Sequence, residues 1–347
     1  PILSHLQREF EHRGFRVQRV AGRYTGGHLI AIPTQRRPQQ PIQLLLGHCD
    51  TVWSVGTLER MPIHIHQGRL YGPGSYDMKA GLVLSLFAIE AIQAIDLPLS
   101  VVPVMLINSD EEIGSDESTP HIRRLARIAD RVFVMEPSLG PTGKLKTARK
   151  GIGQFTVRVL GRAAHAGLEP EKGASAILEL SFVIQQLFAL NDPSRGISVN
   201  VGTIDGGIRS NVVAPESQAI VDVRVLYQAD IPRIEAAIRA LQPTTPGTTL
   251  IIEGEIGRLP MEKTPGNVQL WHRAQQAAAE LGLTLEEATA GGGSDGNTTS
   301  LYAPTLDGLG AVGDGAHSPE EFVYLDHLVE RSALLARMLL DPPVQPV

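Results

Sequence analysis

Gln43-Leu44-Leu45-Leu46-Gly47-His48-Cys49-Asp50-Thr51-Val52 decides how this chain folds. An apolar run of strand length stops at a histidine, with a carboxylate two residues further on. Side chains alternate faces along a strand, so positions i and i+2 point the same way. His48 and Asp50 therefore converge at the carboxyl end of the strand, where open α/β sheets build their sites. Two readings fit the pair alone. One is an ordinary polar turn; the other is a Zn²⁺ ligand whose second ring nitrogen is held by a carboxylate. Cys49 points to the opposite face and is expected not to bind metal.

Working outward, residues 3–13 have helical periodicity, 27–32 and 42–47 read as strands, and Met78 to Ile95 as a helix. Leu99 to Asn108 is a strongly apolar strand, 119–128 is helical, and Arg131 to Met135 is a short buried strand. This βαβ rhythm predicts a sheet flanked by helices. The style changes near residue 150. Phe155 to Val159, Ile197 to Ile204 and Ala219 to Val225 alternate apolar and polar, as half-exposed strands do. Helices are expected over 173–190 and over 230–241, the latter opened by Asp230 as a cap with Pro232 in its first turn. Thr249 to Glu253 closes the series as a strand. The order β-α-β-β-α-β is the ferredoxin-like arrangement. From about 260 the first style returns, with helices over 267–281 and 324–340 and a short buried strand over 304–309. The predicted class is α/β, a mixed sheet flanked by helices and split by an inserted ferredoxin-like α+β domain.

The chain has 347 residues, 42% hydrophobic and 20% charged, with a formal charge of −6. That balance suits a globular protein of about two domains. The negative charge and the lack of a long basic run argue against a nucleic-acid partner. No stretch of about 18 apolar residues is present, so no membrane span is expected. With one cysteine no intrachain disulfide can form. A cytoplasmic location is the expectation, with the periplasm as the alternative if a leader precedes Pro1.

Four further stretches stand at predicted strand ends or helix starts. Tyr71-Gly72-Pro73-Gly74-Ser75-Tyr76-Asp77-Met78-Lys79 fits a glycine-rich turn with Asp77 as helix cap, and it lacks the Gly-Lys-Ser/Thr of a phosphate loop. Asn108-Ser109-Asp110-Glu111-Glu112-Ile113-Gly114-Ser115 carries three consecutive acids, which repel unless solvated or neutralised by a cation. Glu136 and His317 follow two more buried strands. Taken alone, Glu136 and His317 read as ordinary exposed side chains, and the acidic run as a solvated loop or a cation site. Together His48, Asp77, Glu112, Glu136 and His317 suit two Zn²⁺ ions sharing one carboxylate, which leaves Glu111 over as a base.

Those motifs resemble the M20 metallopeptidases, most closely the glutamate carboxypeptidase (carboxypeptidase G2-like) branch. The likeness continues through Arg149-Lys150-Gly151, Gly161 to Gly167, Ser210-Asn211-Val212-Val213, Pro215, Asp222-Val223-Arg224, Gly291-Gly292-Gly293-Ser294-Asp295 and His317-Ser318. The resemblance implies a catalytic di-zinc domain of residues 1–148 and 260–347 and an inserted dimerisation or lid domain of 149–259. It implies that His48 and Glu136 hold one zinc, that Glu112 and His317 hold the other, and that Asp77 bridges them, with a cis peptide often following it. Cobalt or manganese are the substitutes. By the same resemblance Asp50 orients His48, Glu111 is the general base, and His165 stabilises the oxyanion in the partner subunit's site of a homodimer. Asn211, Arg258, Gly292 and Lys144 match positions that contact substrate. The implied reaction is hydrolysis of an amide next to a C-terminal amino acid with a free carboxylate. The alternative is removal of an acyl group from an N-acyl amino acid, as acetylornithine deacetylase-like or aminoacylase-like enzymes do.

Overall fold

The computed structural model describes residues 1–344. They form two compact units, residues 1–148 with 262–290 and 294–344, and residues 149–261 with 291–293.

The first unit is built on five strands, β1 (Phe15–Val20), β2 (His28–Pro33), β3 (Ile42–His48), β4 (Val102–Asn108) and β5 (Ala129–Val134), with Thr305–Leu306 completing a six-stranded sheet. The order across the sheet is β1-β2-β4-β3-β5 and then Thr305–Leu306. β3, β4, β5 and Thr305–Leu306 run parallel, while β2 is antiparallel to β4 and β1 to β2. Every residue of β3 and β4 is buried, the pattern of parallel strands covered on both faces. Leu44, Leu46, Val104, Leu106, Val132 and Val134 pack with Ile122 and Leu125 of α3 (Thr119–Ala126). Leu45, Met105, Ile107 and Phe133 face the opposite way. They pack with α1 (Ile2–His12), α2 (Ala80–Ala94) and helices Pro265–Glu280 and Leu325–Leu339. The period-2 alternation of each strand thus feeds two cores.

The helix expected from Met78 begins instead at Ala80, after a single π-type turn over Ser75–Lys79 with a cis peptide between Asp77 and Met78. Asp77 has non-helical backbone angles inside that turn, so it is not a simple cap. A strand at β1 and a small sheet of 64–66, 69–71, 322–324 and 313–314 were not foreseen. They are short or at an edge; β1 pairs with its sequence neighbour β2 and 64–66 with 69–71, and only the pairing of 69–71 with 322–324 joins distant parts of the chain.

The second unit follows the βαββαβ order: β6 (Gly151–Leu160), α4 (Ala176–Phe188), β7 (Ser198–Gly206), β8 (Glu216–Val225), α5 (Ile231–Arg239) and β9 (Thr249–Arg258). The antiparallel sheet runs β7-β8-β6-β9. Phe155, Val157, Val159, Val221 and Val223 meet Leu180, Val183, Ile234 and Ile238 in its core. Ser175 caps α4, its hydroxyl accepting from the Leu178 N–H at 3.2 Å. Asp230 does not cap α5 with its side chain; its carboxylate binds Arg195 at 2.9 Å instead. The boundaries depart from 149–259. Met261 and Arg149 exchange backbone hydrogen bonds at 2.9 and 3.0 Å. Gly291–Gly293 also joins the second unit, because the Arg149 guanidinium donates to the carbonyls of Gly292 and Gly293 at 3.2 and 3.1 Å.

Gly81 lets α2 lie against the end of β5, since a Cβ there would collide with the Met135 carbonyl oxygen. Gly81→Ala should therefore lower stability by about 1–3 kcal/mol, the usual cost of overpacking. Thermal unfolding followed by circular dichroism checks this, and an unchanged midpoint would mean that α2 has room to move.

Candidate metal centre and active site

Three parallel strands aim the acidic side chains. His48 ends β3, and Asp50 follows two residues later. Glu111 and Glu112 lie on a 3₁₀ turn just after β4. Glu136 lies two residues beyond β5. Because β4, β3 and β5 are neighbours and parallel, these three ends fall side by side. The fourth contribution, Asp77, comes from the turn before α2. The fifth, His317, comes from the loop between the short strands 313–314 and 322–324.

Asp77 faces two ways. Its Oδ1 is 3.2 Å from His48 Nε2, and its Oδ2 is 3.5 Å from His317 Nε2. His48 Nε2 is also 3.4 Å from Glu136 Oε1, and His317 Nε2 is 3.2 Å from Glu112 Oε2. Ligand atoms of His48, Glu111 and Glu136 lie within 4.8 Å of one another, as do those of His48, Asp77 and Glu112. Glu111 is therefore within reach of the same cation as His48 and Glu136. On the other side of its ring, His48 Nδ1 is 3.1 Å from the backbone oxygen of Asp50 and 3.4 Å from its Oδ1. The backbone carbonyl shares the orienting role expected of the carboxylate alone. Asp50 Oδ2 accepts from the Glu112 N–H at 3.0 Å, so one aspartate fixes a histidine of one cluster and the turn carrying the other.

The electrostatics record how crowded the charges are. Burial alone would raise the Asp77 carboxyl, but hydrogen bonds from His317 and His48 hold it well below the usual range. Burial and then the Asp77 charge push Glu112 up to about 7. Burial opposes charge on His48, yet Asp50, Asp77 and Glu136 together drive it well above an ordinary imidazole. The hydrogen bond with Asp77, then the Glu112 charge, raises His317 to about 9. Protons alone leave this cluster poorly satisfied, for Glu112 Oε1 is buried with no hydrogen-bond partner. With Nδ1 turned to Asp50, a neutral His48 points its Nε2 lone pair at two carboxylate oxygens. Divalent cations resolve both problems, and a donor set of imidazole nitrogens and carboxylate oxygens fits Zn²⁺ well.

The chain matches the model of peptidase family M20/M25/M40 over residues 44–341. It belongs to that family. Carboxypeptidase G2 of Pseudomonas sp. (strain RS-16) is 29% identical to it over 346 residues, covering 97% of this chain and 83% of that protein. A succinyl-diaminopimelate desuccinylase of Stenotrophomonas maltophilia (strain K279a) is 27% identical over 319 residues, 86% of this chain and 83% of that protein. Aminopeptidase PepT from Bacillus cereus has the same fold, with a TM-score of 0.80 at 22% identity over 97% of this chain and 91% of that one. The protein is accordingly an M20 metallohydrolase.

The remaining candidates of this M20 chain lie elsewhere. His165, Asn211, Arg258 and Gly292 belong to the second unit. His165 is exposed, and its Nδ1 accepts from the N–H groups of Gly167 and Leu168 at 3.1 and 3.2 Å. The Ala166 N–H donates to the Asn211 carbonyl at 2.9 Å, which keeps the two loops together. Arg258 is half-buried beside the triglycine segment, where a Cβ on Gly293 would meet Arg258 Cδ at 3.0 Å and Ile152 Cδ1 at 2.7 Å. Lys144 belongs to the first unit. Its ammonium pairs with Glu286 at 2.7 Å, with both side chains substantially exposed. Lys146 is the buried lysine of that segment, and its charge is among those that lower Asp77. Strand alternation in Lys144-Leu145-Lys146 leaves both lysines on one face, so sequence alone does not choose between them. Cys49 is buried against α2 and the core, and burial pushes its thiol up to about 11. Among the described residues no helix is long and apolar enough to cross a membrane.

Proposed function

We propose that this enzyme is a di-zinc carboxypeptidase of the glutamate carboxypeptidase type, cleaving the amide next to a C-terminal amino acid whose carboxylate is free. The observation that carries the di-metal reading is the two-sided placement of Asp77, one oxygen toward His48 and the other toward His317; the carboxypeptidase reading is supported by the relationship to carboxypeptidase G2. His48 and Glu136 would hold one ion, His317 and Glu112 the second, and Asp77 both. When bound, such a pair supplies Lewis-acid polarisation of the scissile carbonyl and of the attacking water.

The chain's own groups do the rest. Glu111 takes the proton of the attacking water and returns it to the leaving amine nitrogen. Asp50 holds the His48 ring through Nδ1. His165 accepts two backbone N–H bonds at Nδ1, so its proton sits on Nε2, free to donate to a developing oxyanion. Such a donor is worth about 3 kcal/mol in the transition state. Arg258 offers a planar fork for a bidentate grip on the substrate carboxylate, and Gly292 and Asn211 would add neighbouring polar contacts. A second reading, removal of an acyl group from an N-acyl amino acid, is favoured by the relationship to a desuccinylase.

A homodimer through the second unit is part of the proposal. Ile177, Leu178 and Phe182 of α4 and Ile204 of the edge strand β7 expose between 39% and 66% of their surface. Large apolar side chains left exposed support this reading, because apolar patches mark association sites.

Glu111→Ala should cut kcat by at least about 10²-fold while two metal equivalents per chain remain by elemental analysis; retained turnover would remove Glu111 from the role of base. A panel of acyl-glutamates, C-terminally amidated versions of them, and N-succinyl and N-acetyl amino acids tests the substrate class. Free acyl-glutamates should be preferred and amidated ones poor. Arg258→Ala should raise KM for the free acids by about tenfold or more, the worth of a charge-assisted hydrogen bond, with little change for the amides. Preference for succinyl or acetyl substrates would instead favour the deacylase. Phe182→Glu should shift the mass measured by light scattering from dimer to monomer, and a monomeric parent would end the dimer proposal.

A further inference from the structure

Glu321 lies four residues beyond His317 and has no role in the reaction described above. Its side chain is 1% exposed, whereas the adjacent Glu320 is exposed. A buried carboxylate must be satisfied by donors, and besides the nearby charge of Lys79 this one needs hydrogen bonds. Glu321 collects four. Oε1 accepts from the backbone N–H groups of Tyr76 and Asp77 at 2.9 and 3.0 Å. Oε2 accepts from the Gly74 N–H at 2.8 Å and from the Trp53 indole N–H at 3.2 Å. The Gly72 N–H donates to the Glu321 backbone oxygen at 3.3 Å. The register continues as Phe322 pairs with Tyr71.

All but the indole bond reach the irregular turn that carries Asp77. That turn has no regular ladder of its own, because Asp77 and Met78 leave helical geometry. Its N–H groups are organised from outside, by a residue of the loop that also carries His317. We infer that Glu321 is a positioning residue for the metal pair: it locks the Asp77 turn to the His317 loop and so sets the bridging carboxylate against the second histidine. This deepens the di-metal reading above and rests on it. An outer residue that orients a ligand typically affects metal affinity or activity by about 10–100-fold.

Glu321→Gln is the discriminating change, because it keeps the shape but replaces one acceptor oxygen with an NH₂ group facing two donors. Glu321→Asp keeps the charge but shortens the reach. The test uses the full-length chain, with stepwise zinc affinity measured by chelator competition, folding by circular dichroism, and kcat and KM on the best substrate of the panel. Expected are folded variants whose second zinc binds at least about tenfold more weakly, with kcat reduced and KM within about twofold. A merely structural glutamate would lower thermal stability and leave zinc affinity and kcat at parental values; that result in either folded variant overturns the proposal. So does failure of both to fold at saturating zinc, which would make Glu321 a staple of the fold. If the parent itself takes up fewer than two zincs or hydrolyses nothing in the panel, the di-metal reading fails instead.

Discussion

Asp77 stands between two imidazoles, and the rest of the active-site architecture depends on holding it there. An isolated buried carboxylate is expensive, and this one sits among Glu111, Glu112 and Glu136. Its charge is tolerable because His48 and His317 approach its two oxygens from opposite sides. That requires three segments to meet: the end of β3, the turn before α2 and the loop before residues 322–324. Any shift of one changes the balance of repulsion and attraction for the others. The raised Glu112 carboxyl and the depressed Asp77 carboxyl are two faces of this constraint: Asp77 meets both histidines, whereas at Glu112 burial and the Asp77 charge outweigh the single contact with His317.

The sheet supplies the rigidity. Three adjacent parallel strands end at one level, so the side chains just beyond β3, β4 and β5 converge without long loops. Helices close both faces of the sheet, which excludes water from the strands and leaves their ends as the place where polar groups gather. Alternation settles finer matters. His48 shares parity with Leu44 and Leu46, on the face toward α3, whereas Cys49 turns into the α2 side. The only thiol of the chain is thus one residue from a metal-type histidine and faces away from it.

Much of this was legible in the sequence for one reason: apolar runs that end in acids are strong local signals. β3, β4 and β5, the βαββαβ rhythm of the second unit, and the stretches bearing His48, Glu111, Glu112, Glu136 and His317 all follow from periodicity plus position. Part of what was not legible depends on distant partners. The strands at 69–71 and 322–324 exist through a pairing far along the chain, while β1 and 64–66 pair locally but are too polar or too short for their composition to announce them. The start of α2 was read two residues early because helical periodicity extends into a turn whose backbone is held by Glu321. Glu320 and Glu321 are the same residue type side by side, and only the fold makes one exposed and the other buried. The triglycine segment read as part of the first unit because its neighbours do; Arg149 holds its carbonyls to the second.

The proposed roles divide between the two compact units. Every group around Asp77 comes from the first unit, whereas His165, Asn211, Arg258 and Gly292 come from the second. Metal-assisted attack on an amide carbonyl does not depend on whether the acyl side is a peptide, a succinyl group or an acetyl group. The cluster around Asp77 therefore constrains the bond that breaks and says little about what flanks it. That a carboxypeptidase and a desuccinylase are both related to this chain along most of its length fits such a division. Selectivity has to arise from side chains outside the cluster, and Arg258 is the one proposed above to supply it. It lies against a glycine segment where a Cβ would meet its side chain, with the carbonyls of that segment fixed by Arg149. A guanidinium is planar and presents a fixed fork of donors that matches a carboxylate. On the proposed reading, that match is the physical ground for ranking a free carboxylate above the identity of the acyl group in recognition.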